Sequence, residues 1–363
     1  MSKRFFPQWI VSVLALLSFS GIVNAQTESG ACAELTRNAK NYFTEWNDCE
    51  ALTVLKEYVE DVTNPQSANF INEDDRIATF DIDGTIIGEL YPSYFEYCML
   101  EYRVLDDPAY KDQAPADVRQ TVLQIRDHVR KGTPLPDHFD MRHGRAAAKA
   151  YSGMTMPEFR AYVQAYAAKP VNGFSGMTYG ESFYKPMLQV LDYLRDYGFT
   201  IYLVSGSDRY LCRALVEPLG FSPNRVIGMD VQLCSTKQGS EPGVDYTMGK
   251  EESVIRTDSL LIKNLKTNKV LSINREIGKC PVLSFGNSSG DAAMHNYCMS
   301  NSNYRTATFM LVADDAVRDY ADLAEAARRE ARWRQNGYTV ISMKNDFKTI
   351  YGEGVKKTKF HFK

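Results

Sequence analysis

The chain has 363 residues, with 42 Lys and Arg against 45 Asp and Glu and a formal net charge of −3. A hydrophobic fraction of 44% is ordinary for a globular protein, and the charge gives no support for a nucleic-acid binder, which would show a basic excess. The five histidines are scattered without a His-Glu-x-x-His, and no Cys-x-x-Cys appears among the seven cysteines, so the histidines read as non-ligands and a structural zinc site is not indicated.

Residues 1–25 have the pattern of a secretory signal peptide: Lys3 and Arg4, an apolar run from Trp9 to Phe19, then Val23-Asn24-Ala25 at a cleavage position. The run is too short for a membrane span, which needs about 20 apolar residues. No later run approaches that length, so the expectation is an exported protein, periplasmic or extracellular, with no stable membrane anchor after cleavage. Cleavage would remove Lys3 and Arg4 and no acid, leaving 40 basic against 45 acidic residues, a net −5. Export permits disulfides, and Cys32 with Cys49 is the first pairing to test; scattered buried thiols are the alternative. An odd cysteine count leaves at least one unpaired in a monomer, and the oligomeric state is not readable.

Residues 26–75 read as an N-terminal leader followed by a packing helix, with Trp46-Asn47-Asp48 and Ala51 to Val62 in helical spacing. The first strand is expected at about 76–81. It ends in Asp81-Ile82-Asp83-Gly84-Thr85, and the next apolar run, 200–204, ends at Ser205, which lies 124 residues after Asp81. A simple βαβ crossover needs only about 30 residues. The excess, residues 91–180, carries helical spacing over Tyr91–Leu105, Ala116–Lys131, Met141–Ser152 and Thr155–Ala168, with a capping box at Thr155 and Glu158. It reads as a helical cap inserted straight after the first strand.

Beyond it, Lys185–Tyr197 and Asp208–Leu219 are expected helices and Arg225–Met229 a strand. Residues 231–268 suggest a small β excursion. Residues 281–285, 307–312 and 339–343 are expected strands, Val317–Asn336 a charged surface helix, and 353–363 a tail. The fold class is therefore α/β, a doubly wound, mainly parallel sheet. Its core comprises 76–90 and 181–352.

In such a sheet, ligands bind outside the C-terminal strand edge. There the first strand delivers two carboxylates that repel each other unless a cation or a proton separates them. Asp-x-Asp-Gly also occurs in turns and calcium loops, but Gly84-Thr85-Ile86-Ile87-Gly88 adds no further carboxylate. Ser205 follows the 200–204 run. Of the polar run Lys263, Lys266 and Lys269, only Lys269 has an Ile four residues on. The 281–285 run ends in Gly286-Asn287-Ser288-Ser289-Gly290-Asp291.

The order Asp-x-Asp-Gly-Thr, apolar-Ser, Lys-x-x-x-Ile, Gly-Asn-Ser-x-x-Asp resembles the four motifs of the haloacid dehalogenase superfamily, in its phosphatase branch. The residues around the first motif resemble secreted phosphoserine phosphatase-like and phosphocholine phosphatase-like members, and the resemblance covers about residues 45–352. It implies a magnesium-dependent phosphomonoesterase acting on a small phosphorylated metabolite through an aspartyl-phosphate. Asp81 would be the nucleophile and Asp83 the general acid and base. Ser205, Lys269 and Thr85 would hold the phosphoryl oxygens. Asp81, the Asp83 carbonyl, and Asn287 or Asp291 would hold Mg2+. Many members have Asp where this chain has Asn287. Glu89 and Tyr91 would read the substrate, since the position of Glu89 resembles that of an acidic residue in phosphatases of amine-bearing esters. Tyr91, Tyr94, Phe95 and Tyr97 make an aromatic cluster beside it, which helical packing alone also explains. A phosphotransferase of the same fold, and a binding protein with weakened chemistry, remain alternatives.

Overall fold

The computed structural model describes residues 40–89 and 92–360. The signal-like segment, Cys32 and Tyr91 lie outside the described residues.

Strand β1 (Ile77–Phe80) is buried along its whole length. It lies in the middle of a sheet flanked by helices, so its side chains meet protein on both faces and its sequence shows no apolar–polar alternation. The remaining strands are β2 (Phe174–Ser175), β3 (Thr200–Asp208), β4 (Val226–Ser235), β5 (Val254–Ile262), β6 (Leu283–Gly286), β7 (Ala307–Val312), β8 (Thr339–Ser342) and β9 (Lys356–Lys357). Seven of them form one sheet in the order β5-β4-β3-β1-β6-β7-β8. Every pairing is parallel except β4 with β5. The chain leaves β1 toward β3 and β4 on one side and later fills β6, β7 and β8 on the other. The order therefore reverses at β1, where the crevice at the strand ends opens.

Register ties this centre together. Phe80, Phe285 and Phe309 are aligned across β1, β6 and β7. Their rings stack in sequence with centroids 4.2 and 4.8 Å apart. All three are buried, and such aromatic contacts add to the hydrophobic gain of burying the rings.

The helices are α1 (Glu50–Thr63), α2 (Phe95–Glu101), α3 (Ala116–Lys131), α4 (Phe139–Ala150), α5 (Met156–Ala167), α6 (Lys185–Asp196), α7 (Arg209–Val216), α8 (Thr267–Glu276), α9 (Ala292–Met299), α10 (Leu323–Gln335) and α11 (Met343–Asp346). Helices α2 to α5 fall between β1 and β3 in sequence and make the cap; α4 packs on β5 and α5 on α7. The Thr155–Glu158 capping box starts α5 as its sequence predicts, with the Thr155 hydroxyl accepting from the Glu158 N–H at 3.3 Å and the Thr155 N–H donating to the Glu158 carboxylate at 2.8 Å. No helix among the described residues is long and apolar enough to cross a membrane.

Several local expectations change. The expected helix at 317–336 begins only at α10. Arg318 donates to the carbonyls of Met343, Phe347 and Lys348 and holds the preceding segment in turns, and Asp322 caps α10 by accepting from the Glu325 N–H. The tail expected at 353–363 includes β9, which pairs antiparallel with β2. Lys269 lies in α8. Cys49 caps α1, its sulfur accepting from the Leu52 N–H at 3.4 Å; its pairing with Cys32 lies outside the described residues.

Candidate active site

The four motifs converge on the C-terminal edge at β1, β3 and β6. Leaving β1, the backbone N–H of Asp81 still bonds the Phe285 carbonyl at 3.0 Å, which fixes the aspartate on the end of the sheet. The chain then turns on itself: Thr85 and Ile86 donate to the Ile82 carbonyl at 3.2 and 3.0 Å, and Gly84 donates to that of Ile87 at 2.7 Å. Gly84 sits at φ +76°, and a Cβ there would collide with the side chains of Asn287 and Glu89. Both requirements select glycine.

Lys269 reaches in from α8 and bridges the two motif carboxylates, with Nζ 2.5 Å from Asp81 Oδ1 and 2.7 Å from Asp291 Oδ1. The other Asp291 oxygen accepts from the Asn287 and Ser288 N–H groups at 3.1 and 3.0 Å and from the Ser288 hydroxyl at 3.1 Å. Those donors take up about the four acceptor positions of a carboxylate. In this arrangement Asp291 orients Lys269 and the loop after β6.

Asp83 faces the end of β3. Its Oδ2 accepts from the Ser207 hydroxyl at 2.8 Å and from that of Ser205 at 3.4 Å. Both serines reach it because β3 bulges here: Val204 pairs with Ile227 and Asp208 with Met229, so four steps along β3 oppose two along β4. Gly228 permits the bulge, since a Cβ there would lie 2.7 Å from the Ser207 carbonyl oxygen. Thr85 is wholly buried and its hydroxyl has no hydrogen-bond partner among the described residues.

The electrostatics are those of crowded carboxylates. Burial, followed by the Asp291 charge, pushes the Asp81 carboxyl well above the usual range, with Lys269 opposing. Burial likewise raises Asp83, against the Ser207 hydrogen bond and the charges of Lys269 and Lys263. Burial alone would lower Lys269, but the Asp291 and Asp81 carboxylates outweigh it and hold the ammonium charged. Glu89 is pushed up to about 7 by burial and by the Asp83 charge.

Among the described residues no three His, Cys, Asp or Glu side chains are grouped to hold a metal ion. The hard oxygens at this edge are instead of mixed kind: the Asp81 carboxylate, the Asp83 backbone carbonyl and the Asn287 amide oxygen. Asp81, Asp83, Glu89 and Asp291 meet here, and Lys269 is the only cation bonded to any of them among the described residues. That excess of negative charge and the oxygen donor set fit a hard divalent cation.

On the cap side, Glu89 is engaged by the Asn287 amide and the Tyr94 hydroxyl. Tyr94 packs edge-on against Tyr97 at 4.9 Å, and Phe95 packs against Tyr166 and Tyr179. Phe95 and Tyr97 are buried core residues of the cap, as helical packing predicts. Three further groups join the site. Ser207 carries the shorter hydroxyl bond to Asp83, and its place two residues after Ser205 is the one trace of this in the sequence. Asn264 and Lys263 donate to the Ser205 and Gly206 carbonyls at 2.9 and 2.8 Å. Lys263 is 7% exposed despite its place in a polar lysine run.

The sequence matches no family model and no curated protein. Its fold is similar to that of a functionally unknown protein from Anaerococcus prevotii, at 14% identity and a TM-score of 0.50 over 89% of this chain and 100% of that one. A protein of unknown function from Bordetella pertussis is 14% identical with a TM-score of 0.46, over 73% of this chain and 97% of that one. A phosphoserine phosphohydrolase-like protein from Francisella tularensis is 13% identical with a TM-score of 0.39, over 73% and 94%. Of these three, the first reaches a TM-score of 0.50, and at 14% identity that likeness speaks to fold alone. The seven-stranded, mostly parallel sheet flanked by helices is the doubly wound α/β architecture that the sequence pattern predicts.

Proposed function

We propose that the chain is a magnesium-dependent phosphomonoesterase that hydrolyses small phosphate esters through an aspartyl-phosphate. One observation carries this reading: Asp81 stands at the end of the central strand with its carboxylate fixed by Lys269, while Asp83, two residues on, is held by Ser207 and Ser205 at the same edge.

An Asp81 oxygen attacks phosphorus and the bond to the ester oxygen breaks. Asp83, whose buried carboxyl favours the protonated form, gives its proton to that departing oxygen. The roles then reverse. Asp83, now a carboxylate, takes a proton from the water that attacks the phosphoryl group, and Asp81 is regenerated with release of phosphate. Lys269 holds positive charge beside a group that is negative throughout, and Ser205 supplies a hydroxyl donor at the β3 end. Asp81, the Asp83 carbonyl and Asn287 would hold Mg2+, with Asp291 fixing Lys269 and the Asn287 loop. Bound there, the ion neutralises the repulsion between a dianionic phosphate and an anionic nucleophile. A cap inserted beside the strand edge supports a small substrate, and Glu89 with Tyr94 supports an amine-bearing ester. The signal-like pattern of residues 1–25 supports an exported enzyme.

Screening phosphate esters with purified protein, with and without Mg2+ and an acceptor alcohol, tests this. Magnesium-dependent release of inorganic phosphate is expected. Full activity in excess chelator, or phosphate passed to the alcohol in place of water, would overturn it.

A further inference from the structure

A second polar cluster lies behind the bulged end of β3, where the chain turns at Ser205–Asp208, and it joins cap to core. Glu96, in the first turn of α2, is 2% exposed. Its Oε1 accepts the backbone N–H of Asp208 at 3.0 Å, and its Oε2 lies 3.8 Å from Lys263 Nζ and 3.6 Å from His143 Nε2. Lys263, at the exit of β5, donates to the Gly206 carbonyl at 2.8 Å and lies 3.4 Å from His143 Nδ1. Asp208 in turn caps α7 through the N–H groups of Tyr210 and Leu211 and is paired with the buried Arg256. Charges taken out of water are costly unless paired, so this cluster is a stability risk that a purely apolar seam would avoid.

We propose that Glu96 and Lys263 form a latch that makes docking of the cap and ordering of the Ser205–Asp208 turn a single event; its consequence for phosphate binding rests on the phosphatase reading above. The argument is geometric. In a trans peptide the carbonyl and the following N–H point opposite ways. Lys263 and Asn264 hold the Gly206 and Ser205 carbonyls from behind, which directs the Ser207 and Gly206 amides to the other side. On that side the Ser207 N–H meets the Ser205 hydroxyl at 3.0 Å, and both serine hydroxyls reach Asp83. Glu96 adds the cap to this arrangement. It satisfies the last N–H of the turn and supplies the carboxylate that faces the Lys263 ammonium. Moving α2 away would leave the Asp208 N–H without its acceptor and Lys263 without its counter-charge, so the turn would loosen with the cap. Glu96 and Lys263 are positioning residues here; the hydrogen bonds of Asp81 and Asp83 go to Lys269, Ser205 and Ser207.

The test compares full-length wild type with Glu96→Ala, Glu96→Gln and Lys263→Met by hydrogen exchange, and by calorimetric binding of inorganic phosphate in the presence of Mg2+. Glu96→Ala is expected to speed exchange at residues 206–211 about tenfold and to weaken phosphate binding by a similar factor. Glu96→Gln should restore most of both, because its amide oxygen still accepts the Asp208 N–H. Lys263→Met, acting from the core side, should speed exchange in residues 95–101 of the cap, and it carries the test if Glu96→Ala does not fold. Unchanged exchange in the turn with Glu96→Ala, or in the cap with Lys263→Met, would overturn the latch. A wild type that binds no phosphate would count against the phosphatase reading, while the exchange result would still decide the coupling.

Discussion

Replacing Lys269 by Met removes the one ammonium that separates Asp81 from Asp291. The two oxygens it bridges, at 2.5 and 2.7 Å from Nζ, lie within about 5 Å of each other, and Lys269 itself is 1% exposed. At an effective dielectric constant of about 20, two like charges at that separation repel by roughly 3 kcal/mol. Breaking a buried pair typically costs about 3–5 kcal/mol, so the two routes to the magnitude agree. With an unfolding entropy of about 2.1 cal/mol/K per residue over roughly 320 residues, this corresponds to a fall in Tm of about 5–7 °C. Calorimetry in chelator should show that fall. Millimolar Mg2+ should narrow it, because a divalent ion on the same oxygens supplies the missing charge. Turnover of a phosphate ester should drop at least about 100-fold, the scale of losing one preorganised donor to a developing charge. A Lys269→Met protein with wild-type Tm in chelator and unchanged turnover would refute the reasoning.

Asp83→Asn removes the proton donor, so hydrolysis of alkyl phosphates should fall by about 100- to 10,000-fold, and that of nitrophenyl phosphate, whose leaving group needs no proton, by much less; steady-state rates on the two esters check this. Glu89→Gln should raise KM more for phosphoserine or phosphoethanolamine than for a neutral ester, and an equal effect on both would make Glu89 structural. His295, buried and hydrogen-bonded to Ser284 and the Phe309 carbonyl, is pushed down to about 4 by burial. Its folded value lies below its unfolded one, so its contribution is present above about pH 6.5 and is lost as pH falls toward 4, worth up to ~3 kcal/mol. Urea unfolding at pH 7 and pH 4.5 should show that loss, and His295→Gln should flatten it.

Much of the edge chemistry was legible because each group follows a buried apolar run directly. Asp81 after β1 and Asn287 after β6 are placed by local chain direction alone. The cap was legible from spacing, since the 124 residues from Asp81 to Ser205 hold four helical patterns and a capping box that all appear in the structure. What escaped depends on tertiary contact. Ser207 joins Asp83 only because β3 bulges, and the bulge depends on Gly228 of the neighbouring strand. Lys263 looked like one member of a solvated lysine run, yet it is buried by Glu96, 167 residues earlier in the chain. The start of α10 was misplaced because carbonyls near 343–348 draw Arg318 away from helical continuation, and no local propensity reports that.

The most direct test of the account is whether phosphate becomes bonded to Asp81. A single turnover with a 32P-labelled ester and Mg2+, quenched in acid, should leave label on the protein. Hydroxylamine should strip it, as for an acyl phosphate, and the Asp81→Asn protein should carry none while folding normally and releasing no phosphate. Near-normal turnover by Asp81→Asn, with no covalent label in the wild type, would contradict the account.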